Sequence, residues 1–556
     1  MGLFKIIITV VLALPFSLSA NFKSSQILYL IQANEVGAAL KSYYDCYKEQ
    51  ERHDFELLQQ LSLTLLDKGI KSSVPEEQLL AIYGAGVSTN EKAFYLLEEG
   101  LNSSYLQIQA VALGFLARSQ CDYADTLINR VIASPHPLIR LEAAYQLALK
   151  KHPMATPQLE SLMYKMGDDF AFLFPKLFAT CGDSRATKVL KKLLTHSKSE
   201  VRCETILSLA EFFRDDLLEQ IRKLAQHSDL AQQEVCAVAL GMMKDEASLK
   251  LLKQLARSHS APVRIAAILA LNEMQEQSLN HFLVDLARRG NVFAIYNLKN
   301  ISEAEECLLF LAQSPSLQIR LNASLALLHL KNPSCIAGIK EFIIKDSRDL
   351  AVIKAQSQGN GLSAFKAVPS LEENTSNSQV LNEITLSFKE SILEEAINLP
   401  ENVFLELATA IFAAKQNELI PTLCDLLCQI GSQACIDLLK KEQQRAGAPL
   451  IRNYCNLALV KLKEEGPYQQ NLLNWVRIQQ HEDIIKFRAY IPLDLREHTF
   501  EFELTPEETA RLLISSFEIL AQTQEDLGVN MLIEAMIHGN PKNRYVLAGL
   551  LLRITL

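Results

Sequence analysis

The segments QIQAVALGFLA (107–117), LIRLEAAYQLA (138–148), EVRCETILSLA (200–210), PVRIAAILALN (262–272) and QIRLNASLALL (318–328) share one template. An apolar residue precedes a polar or Arg position, a small residue follows three later, and a large apolar residue follows seven later. With the polar position as marker, Gln78, Gln109, Arg140, Ala171, Arg202, Gln233 and Arg264 fall 31 residues apart. The position three after each marker reads Ala81, Ala112, Ala143, Phe174, Thr205, Cys236 and Ala267, and the position seven after reads Ala85, Leu116, Leu147, Phe178, Leu209, Leu240 and Leu271. Offsets of −1, +3 and +7 lie on one helical face. Small residues at +3 let a neighbouring helix approach closely, and the large residue at +7 fills the next gap of the seam.

Each marker follows a turn-like stretch, such as SPHP before Leu138, HSKS before Glu200 and SHSAP before Val263. A further apolar helix precedes the turn, as in LINRVIA (127–133), KVLKKLLT (188–195) and LKLLKQLAR (249–257). The unit is helix, turn, helix. Such a hairpin cannot bury its apolar face alone, and stacking its copies makes one continuous core.

These residues resemble the HEAT-repeat family, in the short bacterial form of about 31 residues also found in phycobilisome-lyase-type proteins. The resemblance covers residues 70–330 and recurs in APLIRNYCNLALVKL (448–462). It implies an all-α fold, a right-handed α-α superhelix of stacked hairpins. HEAT proteins often pair an Arg with an Asp of the next repeat; Arg140, Arg202, Arg264, Arg320 and Arg452 are present without a regular Asp column. Pro175 stands inside an expected second helix and should kink it or delay its start.

The remaining organisation is read from departures from the period. Residues 1–20, MGLFKIIITVVLALPFSLSA, carry one Lys, an apolar run and then small residues, the order of a secretory signal peptide. Cleavage is expected after Ala20, with Ser19 the alternative, or the segment stays as an anchor. No later segment is apolar over the length that crosses a membrane. Residues 21–354 are expected to form the array, 355–380 a polar surface loop or linker, 381–465 divergent helical repeats, and 466–556 a C-terminal capping region. Within that last region KFRAYIPL (486–493) and HTFEFEL (498–504) alternate like the strands of a small hairpin, and Thr505-Pro506-Glu507-Glu508 starts a helix expected to reach about residue 522.

Composition and candidate chemistry point away from catalysis. The 556 residues hold 55 Lys and Arg against 64 Asp and Glu, a net charge of −9, which disfavours a nucleic-acid binder. Eleven cysteines are spread through the chain. Cys203, Cys236 and Cys455 fall on packing positions, and Cys424, Cys428, Cys435 and Cys455 form the one grouping that could hold a metal or a disulfide, with core packing the simpler reading. His136, His196, His227 and His259 lie in the turns before second helices, where a spacing of about 8–10 Å between helices is too wide for one metal ion. Arg185, Lys188, Lys191, Lys192, Lys198 and Arg202 read as a solvated basic face or a site for an anionic partner. GNGLSA (359–364) partly matches a dinucleotide fingerprint but lacks its strand-to-helix setting. No catalytic, cofactor-binding or metal residues are assigned. The reading is an exported, non-enzymatic scaffold, located in the periplasm, cell envelope or outside the cell, that binds a protein or peptide and no nucleic acid. The alternatives are a lyase-like enzyme or accessory factor, as the resemblance implies, and a structural envelope component.

Overall fold

The computed structural model describes residues 24–33, 35–227, 229–345, 350–369, 375–445, 447–485, 506–522 and 526–555. The protein is all-α, built of stacked helical hairpins with, among the described residues, one small two-stranded insertion. The expected leader at 1–20 and the expected strands at 486–493 and 498–504 lie outside the described residues.

Second helices begin at Pro75, Leu106, Pro137, Ser199, Leu230, Ala261 and Val292, on the 31-residue period. The missing step, at Asp168, is a 3-10 turn that runs to Leu173 before an α-helix spans Phe174–Cys181. Pro175 sits in the first turn of that helix, where its absent N–H costs nothing, so it delays the helix without kinking it. Every residue of the +3 and +7 columns from Ala81 to Leu271 is buried.

The marker column has a job that the period alone does not reveal. Gln78 Nε2 donates to the Ser72 carbonyl at 2.7 Å, Gln109 to Ser103 at 2.6 Å and Gln233 to His227 at 2.6 Å. Arg202 reaches the His196 carbonyl at 2.9 Å and Arg320 the Ser314 carbonyl at 2.7 Å. In every case the acceptor lies six residues earlier, at the start of the turn, so the marker clamps the two helices of its own hairpin. The same turn residue closes the turn from the other side. Ser72, Ser103, Ser134, Ser258 and Ser314 accept from the backbone N–H two residues on, and His196 Nδ1 takes the serine's place at 3.2 Å from the Lys198 N–H. An Asp-to-Arg rung to the next repeat occurs at Arg202–Asp229, whereas Arg320 pairs with Glu341.

A second periodic device ends the second helices. Thr89, Lys151, Gly182, Phe213, Lys244, Gln275, Lys331 and Lys463 all have positive φ, and each stands eleven residues after its marker. After Lys151, Phe213, Lys244, Gln275, Lys331 and Lys463 the following N–H bonds to the carbonyl of the +7 residue, for example Arg214 to Leu209 at 2.8 Å, Asp245 to Leu240 at 3.0 Å and Asn332 to Leu327 at 2.9 Å, whereas Gly182 reaches the Phe178 carbonyl through its own N–H at 3.5 Å. This is the Schellman end of a helix, usually made with glycine because a Cβ is strained in the left-handed region. Only Gly182 follows that preference here; the lysines accept the strain with their charge placed at the negative helix end.

Contacts divide the described residues into two compact units, one made of those up to 143 with those from 445 onward, the other of those between 144 and 444. In the first, the last helix Asn543–Ile554 packs on Phe55–Ile70 and Pro75–Val87. Backbones approach so closely that a Cβ on Gly549 would stand 2.1 Å from the Gly84 carbonyl oxygen. Lys542 pairs with Glu76 at 2.9 Å, and Tyr545 donates to Glu77 at 3.3 Å. The helix Pro506–Gln522 has the extent read from its sequence.

The second unit corrects the reading of 355–380 as a loop. Leu350–Gln356 (β1) and Ser363–Pro369 (β2) form an antiparallel hairpin in register Leu350↔Pro369 to Gln356↔Ser363, and a helix runs from Thr375 to Ala396. The polar, Gly-containing run Ser357–Gly361 supplies only the turn. The strands escape notice because their buried side chains include Ala351, Ala364 and Ala367, too small to print a strong alternation.

Substituting Lys244→Gly should relieve the left-handed strain and raise stability by about 0.5–1 kcal/mol, the strain less the extra freedom of glycine in the unfolded chain. Gly182→Lys should lower it by a similar amount. Calorimetry of the two variants checks both signs.

Candidate functional site: a seat for extended chain

The hairpin rests on side chains contributed by second helices more than 40 residues away in sequence, and the contacts go to its backbone. Asn322, fully buried on helix Leu317–His329, accepts from the Phe365 N–H at 2.9 Å and donates to the Phe365 carbonyl at 2.8 Å. Gln318, one turn earlier, does the same with Ala367, at 3.0 Å and 2.7 Å. Four residues of helix rise about 6.0 Å and two residues of strand about 6.8 Å, so amides spaced i, i+4 match alternate strand residues. Asn297 on Val292–Asn297 reaches the Ser363 carbonyl at 3.5 Å and extends the row. The outer edge of β2, which would otherwise expose unpaired backbone groups, is thereby read by carboxamides.

Glu234 holds the turn. It lies on Leu230–Met242, is 1% exposed, and accepts from the Ser357 hydroxyl, the Gly359 N–H at 3.2 Å and the Leu362 N–H at 3.2 Å. Gly359 is required for this approach: a Cβ there would meet the Ala231 carbonyl oxygen at 2.5 Å. Burial raises the Glu234 pKa above its ordinary value, and the hydrogen bonds from Ser357, Gly359, Leu362 and Gly361 oppose that rise without cancelling it. On the other edge, Thr385 Oγ1 of helix Thr375–Ala396 accepts from the Val352 N–H at 3.0 Å. Phe365 stacks on Phe388 at 4.1 Å and meets Tyr296 edge-on at 5.2 Å, so one large side chain of β2 has a shaped slot.

The groups singled out in the sequence fall elsewhere or into packing. GNGLSA supplies the end of the hairpin turn and the start of β2, and its glycines serve contact with Leu230–Met242, not a phosphate. His196 and His227 take part in turn closure through a ring nitrogen and a carbonyl respectively. Arg185 pairs with Glu160, Lys198 with Asp169 at 2.9 Å and Arg202 with Asp229 at 3.2 Å, so half of the basic stretch is neutralised locally. No disulfide forms among the cysteines, and burial pushes the thiols of Cys181, Cys203, Cys236, Cys307, Cys335 and Cys435 up, Cys335 to about 12, away from reactive thiolate. Among the described residues no three His, Cys, Asp or Glu side chains converge as metal ligands. His53 bonds to the Tyr43 hydroxyl at 3.2 Å and stacks on Tyr47 at 4.1 Å, and burial lowers its pKa, so it stays a neutral packing group.

Sequence reasoning passed over Glu234, Asn297, Gln318 and Asn322. A signal for Glu234 was present: the position after the marker reads Leu79, Ala110, Leu141, Phe172, Cys203 and Ile265 in other repeats, so a carboxylate there stands alone in an apolar column. The i, i+4 pair Gln318 and Asn322 carried no comparable mark.

Residues 186–272 match the family described as HEAT repeats. No curated protein matches the chain. Among solved structures it is similar to UNC-45 from Drosophila melanogaster, at 13% identity over 95% of this chain and 83% of that one, with a TM-score of 0.31. It is also similar to the karyopherin Kap121p, solved bound to the extreme C-terminus of the protein phosphatase Cdc14p, at 11% identity over 93% of this chain and 62% of that one, with a TM-score of 0.29.

A carboxyl whose pKa is raised on folding favours the fold in its protonated form. Its stabilisation is complete below the ordinary value of 4.5 and is lost as pH rises through the raised value. Amide exchange of residues 350–369, corrected for intrinsic rates, should therefore show greater protection at the acid end of that window, and Glu234→Gln should flatten the trend. Glu234→Ala leaves the buried turn donors without an acceptor and should weaken the hairpin by about 1–3 kcal/mol at pH below the window.

Proposed function

We propose that the chain is an exported, non-enzymatic scaffold that binds an extended segment of another protein on its second-helix face. The observation that supports this is the row Asn297, Gln318 and Asn322, which already holds an extended segment through its backbone. Stacked helical repeats present such side chains on a continuous face, and backbone pairing with an extended peptide is a recurrent mode of recognition. A net charge of −9 favours a protein ligand over a nucleic acid.

Export rests on the order of parts in residues 1–20. No described helix is long and apolar enough to cross a membrane.

The test has two parts. Fractionation of the source cells with mass spectrometry of the recovered protein should find it outside the cytoplasm, beginning at Asn21 or Ala20; a cytoplasmic protein that retains Met1 refutes export. Affinity capture with the full chain, followed by cross-linking, should recover a stoichiometric partner linked to the second helices. A chain that recovers none refutes the scaffold.

A further inference from the structure

The seat of β2 is assembled almost entirely by residues that are not its neighbours in the chain. Asn297, Gln318 and Asn322 grip one edge, β1 pairs with the other, and Phe365 enters the slot between Tyr296 and Phe388. The amides contact N–H and C=O groups only, so they accept any residue whose backbone is extended. Selection falls to the side chains that the seat encloses: Ala367, on the same strand face as Phe365, is 8% exposed, and Ala364, on the opposite face, is fully buried. Nothing in this geometry requires the occupant to be covalently joined to β1.

Resting on the scaffold reading above, we propose that the β2 seat is a binding site for a strand of another protein, exchangeable with the chain's own Ser363–Pro369. Its ligand is an extended segment with an alanine-sized residue directly before an aromatic and another two residues after it. The resident strand competes from the same chain at an effective concentration on the order of millimolar, so the unmodified protein binds such a ligand weakly. Apparent affinity rises in proportion to the fraction of molecules whose own strand has left.

The probe is a fluorescent peptide with the sequence of residues 359–369, GNGLSAFKAVP, added to the full chain. Two substitutions disable the resident strand and leave the seat intact: Phe365→Asp repels it from the aromatic slot, and Ala367→Pro removes the N–H that Gln318 accepts. The double variant should bind the peptide at least tenfold more tightly than the unmodified chain, by fluorescence anisotropy. Adding Gln318→Ala and Asn322→Ala should abolish that binding, and a peptide carrying Phe365→Asp should not bind.

A double variant that keeps its helical circular dichroism and exchanges the amides of 350–369 faster, yet binds no peptide, overturns the proposal. So does binding that is indifferent to Gln318 and Asn322. Glu234→Ala, which loosens the turn with β2 unchanged, is the second variant; collapse of the helical signal in both makes the strand an obligate part of the core and also overturns exchange. Failure here is separable from failure of the scaffold. A captured partner that survives Gln318→Ala with Asn322→Ala keeps the scaffold and refutes this seat, whereas peptide binding without a captured partner refutes only the scaffold reading.

Discussion

Within each unit second helices lie against one another across small residues, Ala81 and Ala112 in one and Thr205, Cys236 and Ala267 in the other, and the width of that column sets how closely they pack. A side chain larger than these holds two helix axes apart, and the residue at +7 then no longer fills the gap it faces. Where Phe174 takes the small position, the start of the second helix is replaced by a 3-10 turn over Asp168–Leu173. At Gln78, Gln109, Arg202, Gln233 and Arg320 each hairpin is held by the clamp from marker to turn, in which Gln or Arg spans six residues back to a carbonyl. Both side chains are long donors, which explains why the column tolerates either and why a negative partner on the next repeat is not needed.

The insertion obeys a different constraint. A two-stranded hairpin is marginal alone, since each outer edge leaves backbone groups unpaired. Here one edge is satisfied by carboxamides, the other in part by Thr385, and the turn by a carboxylate that gathers donors from Ser357, Gly359 and Leu362. Asn322 also donates to its own helix, at the Gln318 carbonyl, so its amide hydrogens are both used and its orientation is fixed before the strand arrives. Such preorganisation suits the row to its support of the strand and to the recognition proposed for it.

Burial favours the neutral form of the ionisable groups it encloses. The thiols on packing positions are pushed up and act as small apolar residues, which fits their place in a seam. Glu234 is the exception in kind, a carboxyl placed among apolar side chains because the turn brings it donors that water would otherwise supply. Its raised pKa records that those donors compensate the loss of water only in part.

The sequence by itself determined the hairpin unit, its period and the buried columns, because these are local properties of amphipathic helices repeated without drift; that Pro175 delays its helix without kinking it was decided by the structure. The sequence also pointed to the helix that begins at Pro506. Only the tertiary structure decided what the markers do, how the second helices end, and that Gly359 and Gly361 belong to a turn pressed against Leu230–Met242. The same holds for the seat: Glu234, Asn297 and Asn322 meet their partners across 43–128 residues of chain. No periodicity links such residues, since the hydrogen bonds that unite them exist only once the helices have stacked and an extended segment has been laid across them.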